Sequence, residues 1–385
     1  MAQLDNEDKI TASPQNGRNK KIALIVLAAI LVVAIVATAV ALLVRADFSP
    51  SLKEIDGYVL SISRGNVTIV KYTGTDKEVE INDKLDGKRV VGIAEEAFKD
   101  NKTVTTLKIK SNAASFEIGA QAFYNMTNLA EVVLPDNVKS ISSQAFSGCG
   151  NLTSLTMGNA VEYIGNYAFS ECGKLNKIYI SESSGGNGTK TGIYDITMPS
   201  SLKTIDSYAF YKAITSSSTS IQLNSQLKTI GSNAFDGASR LTYVDYIGSE
   251  CSLDSIGSYA FYGCSYLRYN PRGNTSGTDI TLVGAQNMLA CSLKSESLVS
   301  IGAHAFENNT YASSKVTLRI FDSLESIGEY AFANNASGQN IEFCGSNPDL
   351  GNAAFYNCAS VKSVKYLTQN TDNGEYSVES KETSL

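Results

Sequence analysis

Histidine is almost missing from this chain: His304 is the only one in 385 residues, and there is no tryptophan. Histidine is the commonest general base near neutral pH and the commonest metal ligand. A single copy excludes a two-histidine metal site and leaves any catalytic triad dependent on one residue. That residue stands just before Ala305, in a slot filled elsewhere by Gln121, Gln144, Tyr167, Tyr208, Asn233, Tyr259 and Tyr330. Such mixed company marks an exposed, replaceable position. The expectation is therefore no catalytic residue, no cofactor and no metal ligand.

Paired cysteine spacings are also missing. None of the seven cysteines forms a Cys-x-x-Cys pair, so neither a zinc site nor a secreted disulfide framework is read from them. Cys149, Cys172, Cys264 and Cys358 each follow a phenylalanine by three. Two readings stand: small buried apolar residues, or a Cys149–Cys172 disulfide. Basic clusters are lacking beyond the first 45 residues, and the net charge is −6. A nucleic-acid partner, which needs a basic face, is excluded on that ground. The run Gly186 to Thr191 fails as a phosphate loop, because Thr189 and not glycine precedes Lys190.

Long hydrophobic runs are confined to one. Lys20 and Lys21 precede 23 uncharged residues, Ile22 to Val44, closed by Arg45. As a helix the run would measure roughly 34 Å, enough to cross a hydrocarbon core of about 30 Å. The excess of positive charge before it keeps residues 1–21 in the cytoplasm and exports the rest. The rival reading is a cleaved signal peptide, with Ala37-Thr38-Ala39 as the small-residue site. Its leading segment and apolar run are both long for that role. After the two flanks are allowed for, the exported part carries −8, a mildly acidic surface.

What fills the rest is repetition. Ile-Gly-x-x-Ala-Phe recurs ten times, with its Phe at 98, 123, 146, 169, 210, 235, 261, 306, 332 and 355. Alanine precedes every one. Isoleucine stands five before it in nine copies, Leu350 in the tenth, and glycine follows that position in seven. Most spacings are 23 to 26 residues, the period of a leucine-rich solenoid whose coils cannot bury their apolar faces alone. Between Phe123 and Phe146, Leu129, Val132 and Leu134 predict a short strand that Pro135 ends. The invariant alanine predicts close stacking, and the recurrent glycine predicts a positive-φ turn.

Two longer spacings, 41 and 45 residues, place insertions near 181–195 and 270–300. Residues 45–64 read as a juxtamembrane linker. Residues 65–92 read as a cap with strands at Val67 to Tyr72 and Glu78 to Ile81 and a turn at Asp86-Gly87. The solenoid proper spans 93–366, and 367–385 read as a disordered polar tail.

The phrase Ile-Gly-x-x-Ala-Phe resembles the BspA-like leucine-rich repeats. So do the Phe-x-x-Cys-x-x-Leu extension (Phe146, Cys149, Leu152; Phe169, Cys172, Leu175; Phe261, Cys264, Leu267) and the strand end Leu134-Pro135. The lead-in TGTDKEVEINDKLDGKRVVGI is similar to that family's opening. The resemblance covers residues 65–366 and implies a right-handed solenoid of β-containing coils; the one membrane helix before it is read from the apolar run. It implies surface proteins that adhere to host cells, matrix or other microbes, and it brings no residue-level binding motif.

One surface feature stands out. Tyr167, Tyr208, Tyr259 and Tyr330 lie two before the repeat Phe, and Tyr124, Tyr211, Tyr262 and Tyr356 lie directly after it. Tyrosine offers an apolar face and a hydroxyl at low entropic cost. Tyr167, Tyr208, Tyr211, Tyr259, Tyr262 and Tyr330 are the candidate ligand contacts; the bland alternative is that they only pack on one another. The outward strand column from Lys108 and Val133 to Glu342 and Lys365 has mixed signs and implies no ligand of single charge. The expected partner is a protein or glycan on a host, matrix or neighbouring cell, with the bilayer held by 22–44. A scaffolding role within the envelope is the second reading.

Overall fold

The computed structural model describes residues 50–181, 194–246, 252–267, 298–309, 316–321, 324–335, 339–344, 348–358, 364–369 and 376–379. The expected tail at 1–21, the apolar run at 22–44 and most of both insertions lie outside them. Contacts divide the chain into Met1–Ser51 and Leu52–Leu385. Among the described residues no helix is long and apolar enough to cross a membrane.

The second unit is a stack of coils. One eight-stranded parallel sheet runs from Glu78–Ile81 to Leu241–Tyr246, with one strand from each coil except the long Phe169–Phe210 interval, which gives two. Period-two alternation builds it: Leu107, Val132, Leu155 and Ile178 turn inward and pair in register, while Lys108, Val133, Thr156 and Tyr179 turn outward. Three further strands, Val316–Phe321, Gln339–Cys344 and Val364–Gln369, continue the same parallel pattern.

A second eight-stranded parallel sheet was not foreseen. Its strands are two residues long, from Ser140–Ile141 to Asp349–Leu350, and contain the repeat isoleucine or, in the last, Leu350. Stacking carries straight across both insertions: Ile178 pairs with Ile196, and Ile256 with Ile301. The short-strand ladder is unbroken across both, whereas among the described residues the long strands form two separate sheets, one ending at Leu241–Tyr246 and one starting at Val316–Phe321.

Between the sheets runs the phenylalanine core. Each repeat Phe from Phe98 to Phe261 is 1% exposed or less and lies against the next. Phe146 and Phe169 are 5.3 Å apart with planes at 3°, and Phe210 and Phe235 are 5.1 Å apart at 1°. Each such ring pair is worth about 0.5–1.5 kcal/mol beyond burial. The ladder begins one rung earlier than the repeat phrase, because Tyr72 stacks on Phe98 at 5.0 Å.

Glycine corrects the expectation of a positive-φ turn. The repeat glycines do not have positive φ. A Cβ on Gly257 would stand 2.4 Å from Ser232 N, and one on Gly302 2.3 Å from Ser258 N. These glycines let one coil's backbone press on the next. Positive φ instead falls two residues before and two after every repeat Phe, as at Tyr208 (58°) and Lys212 (50°) around Phe210. At each of nine steps, the N–H groups of the residues at −2, 0 and +2 donate to carbonyls of the following coil. Tyr208, Phe210 and Lys212, for example, donate to Ser232, Ala234 and Asp236.

Both ends depart from expectation. Within the supposed linker 45–64, Ser51–Ile55 and Tyr58–Ser63 are strands. Tyr58–Ser63 pairs antiparallel with Asn66–Tyr72 across Arg64-Gly65, both at positive φ. The signal was the alternation Tyr58, Leu60, Ile62, which buries the first two fully or nearly so. The expected turn at Asp86-Gly87 joins Lys84–Leu85 to Lys88–Ile93. Within the supposed disordered tail 367–385, Tyr376–Glu379 pairs antiparallel with Val364–Gln369. This covers an edge the parallel stack would leave unpaired.

Candidate interaction surface: the tyrosine rows

Because the residues at −2 share one backbone conformation in every coil, their side chains leave the solenoid in parallel. Tyr167 and Tyr208 stack at 4.5 Å with planes 8° apart, and Tyr211 packs edge-on against Tyr208 at 5.7 Å. Further along, Tyr259 stacks on His304 at 4.5 Å, and His304 on Tyr330 at 5.3 Å. Tyr262 meets Tyr259 edge-on at 5.5 Å, and Tyr356 meets Tyr330 at 6.1 Å. The candidate residues thus form two groups, Tyr167–Tyr208–Tyr211 and Tyr259–Tyr262–Tyr330. Tyr124 lies apart, under the Lys99 ammonium.

These tyrosines are half-buried, apart from the exposed Tyr356. Tyr208 is stacked by one ring, Tyr167, and Tyr259 by one ring, His304, and each stays partly exposed. Desolvation raises the Tyr167 phenol above its ordinary value, with Tyr208 and Tyr211 adding to it. Lys212 Nζ sits 5.0 Å over the Tyr211 ring, and its bond to that tyrosine raises the ammonium pKa.

His304 corrects the reading of an exposed, replaceable slot. Its side chain is 24% exposed, lies between two tyrosine faces, and its Nδ1 is 2.5 Å from Glu307 Oε2. Glu307 Oε1 in turn accepts from Asn334 Nδ2 at 3.0 Å. Sequence reasoning also passed over Asn233 and Asp236, which occupy the coil between the two aromatic groups. Asn233 Nδ2 donates to Asp236 Oδ2 at 2.8 Å. Burial raises the Asp236 carboxyl, partly offset by Asn233 and Lys212. The signal was present: a −2 slot holding Asn amid tyrosines, with an acid three residues on.

The cysteines fit the apolar reading among the described residues. Cys149, Cys172, Cys264 and Cys358 are free thiols, and each donates to the carbonyl of the Phe one coil back, as Cys264 does to Phe235 at 3.2 Å. Burial pushes the Cys149 thiol up to about 12 and raises the other three. A thiol held neutral is a poor nucleophile. Among the described residues no cluster of three or more His, Cys, Asp or Glu is placed to hold a metal ion. What the surface offers is a row of amphipathic contacts.

Comparison with known proteins agrees with this architecture. The family model for the BspA type leucine rich repeat region matches residues 91–191, 187–295 and 281–384. A leucine-rich repeat protein from Bacteroides ovatus is 22% identical with a TM-score of 0.54, covering 82% of this chain and 70% of that one. A leucine-rich repeat protein of T. pallidum is 23% identical (TM-score 0.45; 56% and 90% covered). A leucine rich cell surface protein from Faecalibacterium prausnitzii is 22% identical (TM-score 0.43; 82% of each). A comparison with curated proteins gives no match. The matched stretches run through every repeat from Phe98 to Phe355, and the chain belongs to the BspA-type leucine-rich-repeat family.

Proposed function

We propose that this chain is a cell-surface capture protein, held in the membrane by residues 22–44 with its N-terminus cytoplasmic, and that it is not an enzyme. Its ligand is a protein or glycan on a host, matrix or neighbouring cell. The observation that carries the reading is the double aromatic row. The phenylalanine ladder already supplies the core, yet a second set of partly exposed rings stacks outside it. Tyrosines so held present contact area with little entropy left to lose on binding.

The test is binding of intact cells bearing the full chain to arrays of matrix proteins and glycans. Tyr208, Tyr211, Tyr259 and Tyr262 are replaced together by serine in a second strain. Binding should fall more than tenfold, which is about 1.4 kcal/mol or more, with the protein still folded and displayed. Unchanged binding by the folded variant moves the contact elsewhere. Absence of any ligand, with altered cell shape on deletion, favours the envelope scaffold. N-terminal sequencing of the membrane-bound protein tests the anchor, since a mature start near Val40 or Leu42 would mean a signal peptide.

A further inference from the structure

The outer aromatic row is interrupted once between Tyr167 and Tyr330, and the interruption has a shape. Tyr208 and Tyr259 stand two coils apart, on either side of the coil that carries Phe235. In that coil the −2 slot holds Asn233 and the +1 slot holds Asp236, where the flanking coils hold Tyr208 with Tyr211 and Tyr259 with Tyr262. The core rings fix the step: Phe210 to Phe235 and Phe235 to Phe261 are both 5.1 Å, near parallel. Side chains leaving equivalent slots therefore face each other across two such steps. An asparagine amide ends where a tyrosine ring has barely begun. Asn233 is itself half-buried, and its amide fills less of the space between equivalent slots than a ring there would.

The same chain shows what fills such a space. Two coils further, His304 occupies the −2 slot between Tyr259 and Tyr330, its imidazole 4.5 and 5.3 Å from the two rings with planes 10° and 15° off parallel. The +1 residue of that coil is Glu307, and Nδ1 meets its carboxylate at 2.5 Å. The coil of Phe235 repeats this arrangement with the planar group removed. Two tyrosines form the walls, and the carboxylate of Asp236 sits at +1, bonded to the short Asn233 amide. The four tyrosines have no formal charge, and Asp236 is half-buried. Lys212 lies over the Tyr211 ring and also acts on the Asp236 carboxylate, so an incoming cation would share that carboxylate with it.

The geometry points to a slot between Tyr208 and Tyr259 that takes the planar guanidinium of an arginine side chain from a protein partner. A guanidinium stacks on aromatic faces and donates in its own plane. It can therefore lie between the two rings and direct N–H groups at Asp236, as the His304 imidazole does with Glu307. A lysine ammonium is not planar and cannot stack in the same way. This inference rests on the aromatic rows being the contact surface, and it names the group they recognise.

The experiment uses the full chain in detergent micelles, titrated by NMR with blocked tripeptides Gly-Arg-Gly, Gly-Lys-Gly and Gly-citrulline-Gly, observing the tyrosine ring signals. The arginine peptide should shift Tyr208 and Tyr259 and bind at least fivefold more tightly than the other two. Asn233→Tyr should abolish that binding by completing the stack. The substitution is compatible with the backbone, because Tyr208 and Tyr259 already hold the same φ of 58° at equivalent positions. Ring-current shifts of both neighbours in the unliganded variant report that the stack has closed. Asp236→Asn should weaken arginine binding several-fold with the fold intact. No arginine binding to the wild type, or equal binding to a closed Asn233→Tyr variant, overturns the slot. Equal affinity for citrulline overturns the use of charge. If Asn233→Tyr loses the peptide but keeps cell binding, the slot stands as an arginine site and is not the means of capture. If the serine variant of the four tyrosines also keeps cell binding, the tyrosine rows are not the contact surface and capture lies elsewhere on the protein.

Discussion

Cys172 Sγ donates to the carbonyl of Phe146, one coil back, at 3.1 Å. The thiol is buried, free and held neutral by desolvation. Cys149 and Cys264 repeat the arrangement. None of the three should react with a disulfide reagent at pH 8 in the native protein, and all should react in denaturant. Modification within minutes without denaturant would show that the coils open far more readily than their packing implies.

The phenylalanine ladder sets the cost of core changes. Phe169 lies between Phe146 and Phe210, and Ala168 is fully buried. Phe169→Ala should cost about 3–5 kcal/mol by leaving a cavity. Ala168→Leu should cost about 1–3 kcal/mol by forcing coils apart. Denaturant titration of each variant checks both values, and a wild-type midpoint for either would refute the assigned packing.

Glycines of two kinds should respond differently. Gly257→Ala places a Cβ against Ser232 backbone and should cost about 1–3 kcal/mol. Coils with Ser142 or Asp206 at this position show that the backbone can give a little, which bounds the loss. Gly263 has positive φ and open space around it. Its counterparts are Asn308, Asn334 and Asn357 at 62°, 58° and 50°. Gly263→Asn should therefore stay within about 0.5 kcal/mol of wild type. Thermal melts of the two variants side by side decide the matter.

Alkaline pH should unfold the cap first. Burial, with smaller contributions from Tyr72, Asp76 and Asp56, pushes the Tyr58 phenol from 10.0 to about 12. The fold holds the neutral form, while the unfolded chain ionises near 10. The contribution of Tyr58 is thus fully present below pH 10 and is lost as pH rises to about 12. The melting temperature should fall across that window, and Tyr58→Phe should flatten the fall. A melting temperature unchanged between pH 10 and 12 would contradict it.

Much of the interior was legible because its demands are written in residue type. Alanine, phenylalanine and isoleucine recur where coils meet, and inward strand positions such as Val132 and Leu134 alternate. The outer conformation was not legible. Asn125, Gly148 and Asn308 advertise left-handed backbone at +2, but Tyr167, Tyr208 and Gln144 at −2 do not favour it. Only the inter-coil hydrogen bonds impose it there. The two-residue strands were equally hidden, since Ser-Ile is too short to show a period. The stacking of His304 escaped notice because it depends on Tyr259 and Tyr330, 45 and 26 residues away.

The turn row also gives the solenoid an electrical direction. At each step three peptide N–H groups point toward the following coil, and the carbonyls that receive them point back. Each peptide unit carries a dipole of about 3.5 D, and here three per coil align along the stacking axis instead of alternating as in a sheet. The row therefore has a positive pole at the coil of Phe355 and a negative pole at the coil of Phe98. Two copies meeting along this axis would attract head to tail and repel head to head.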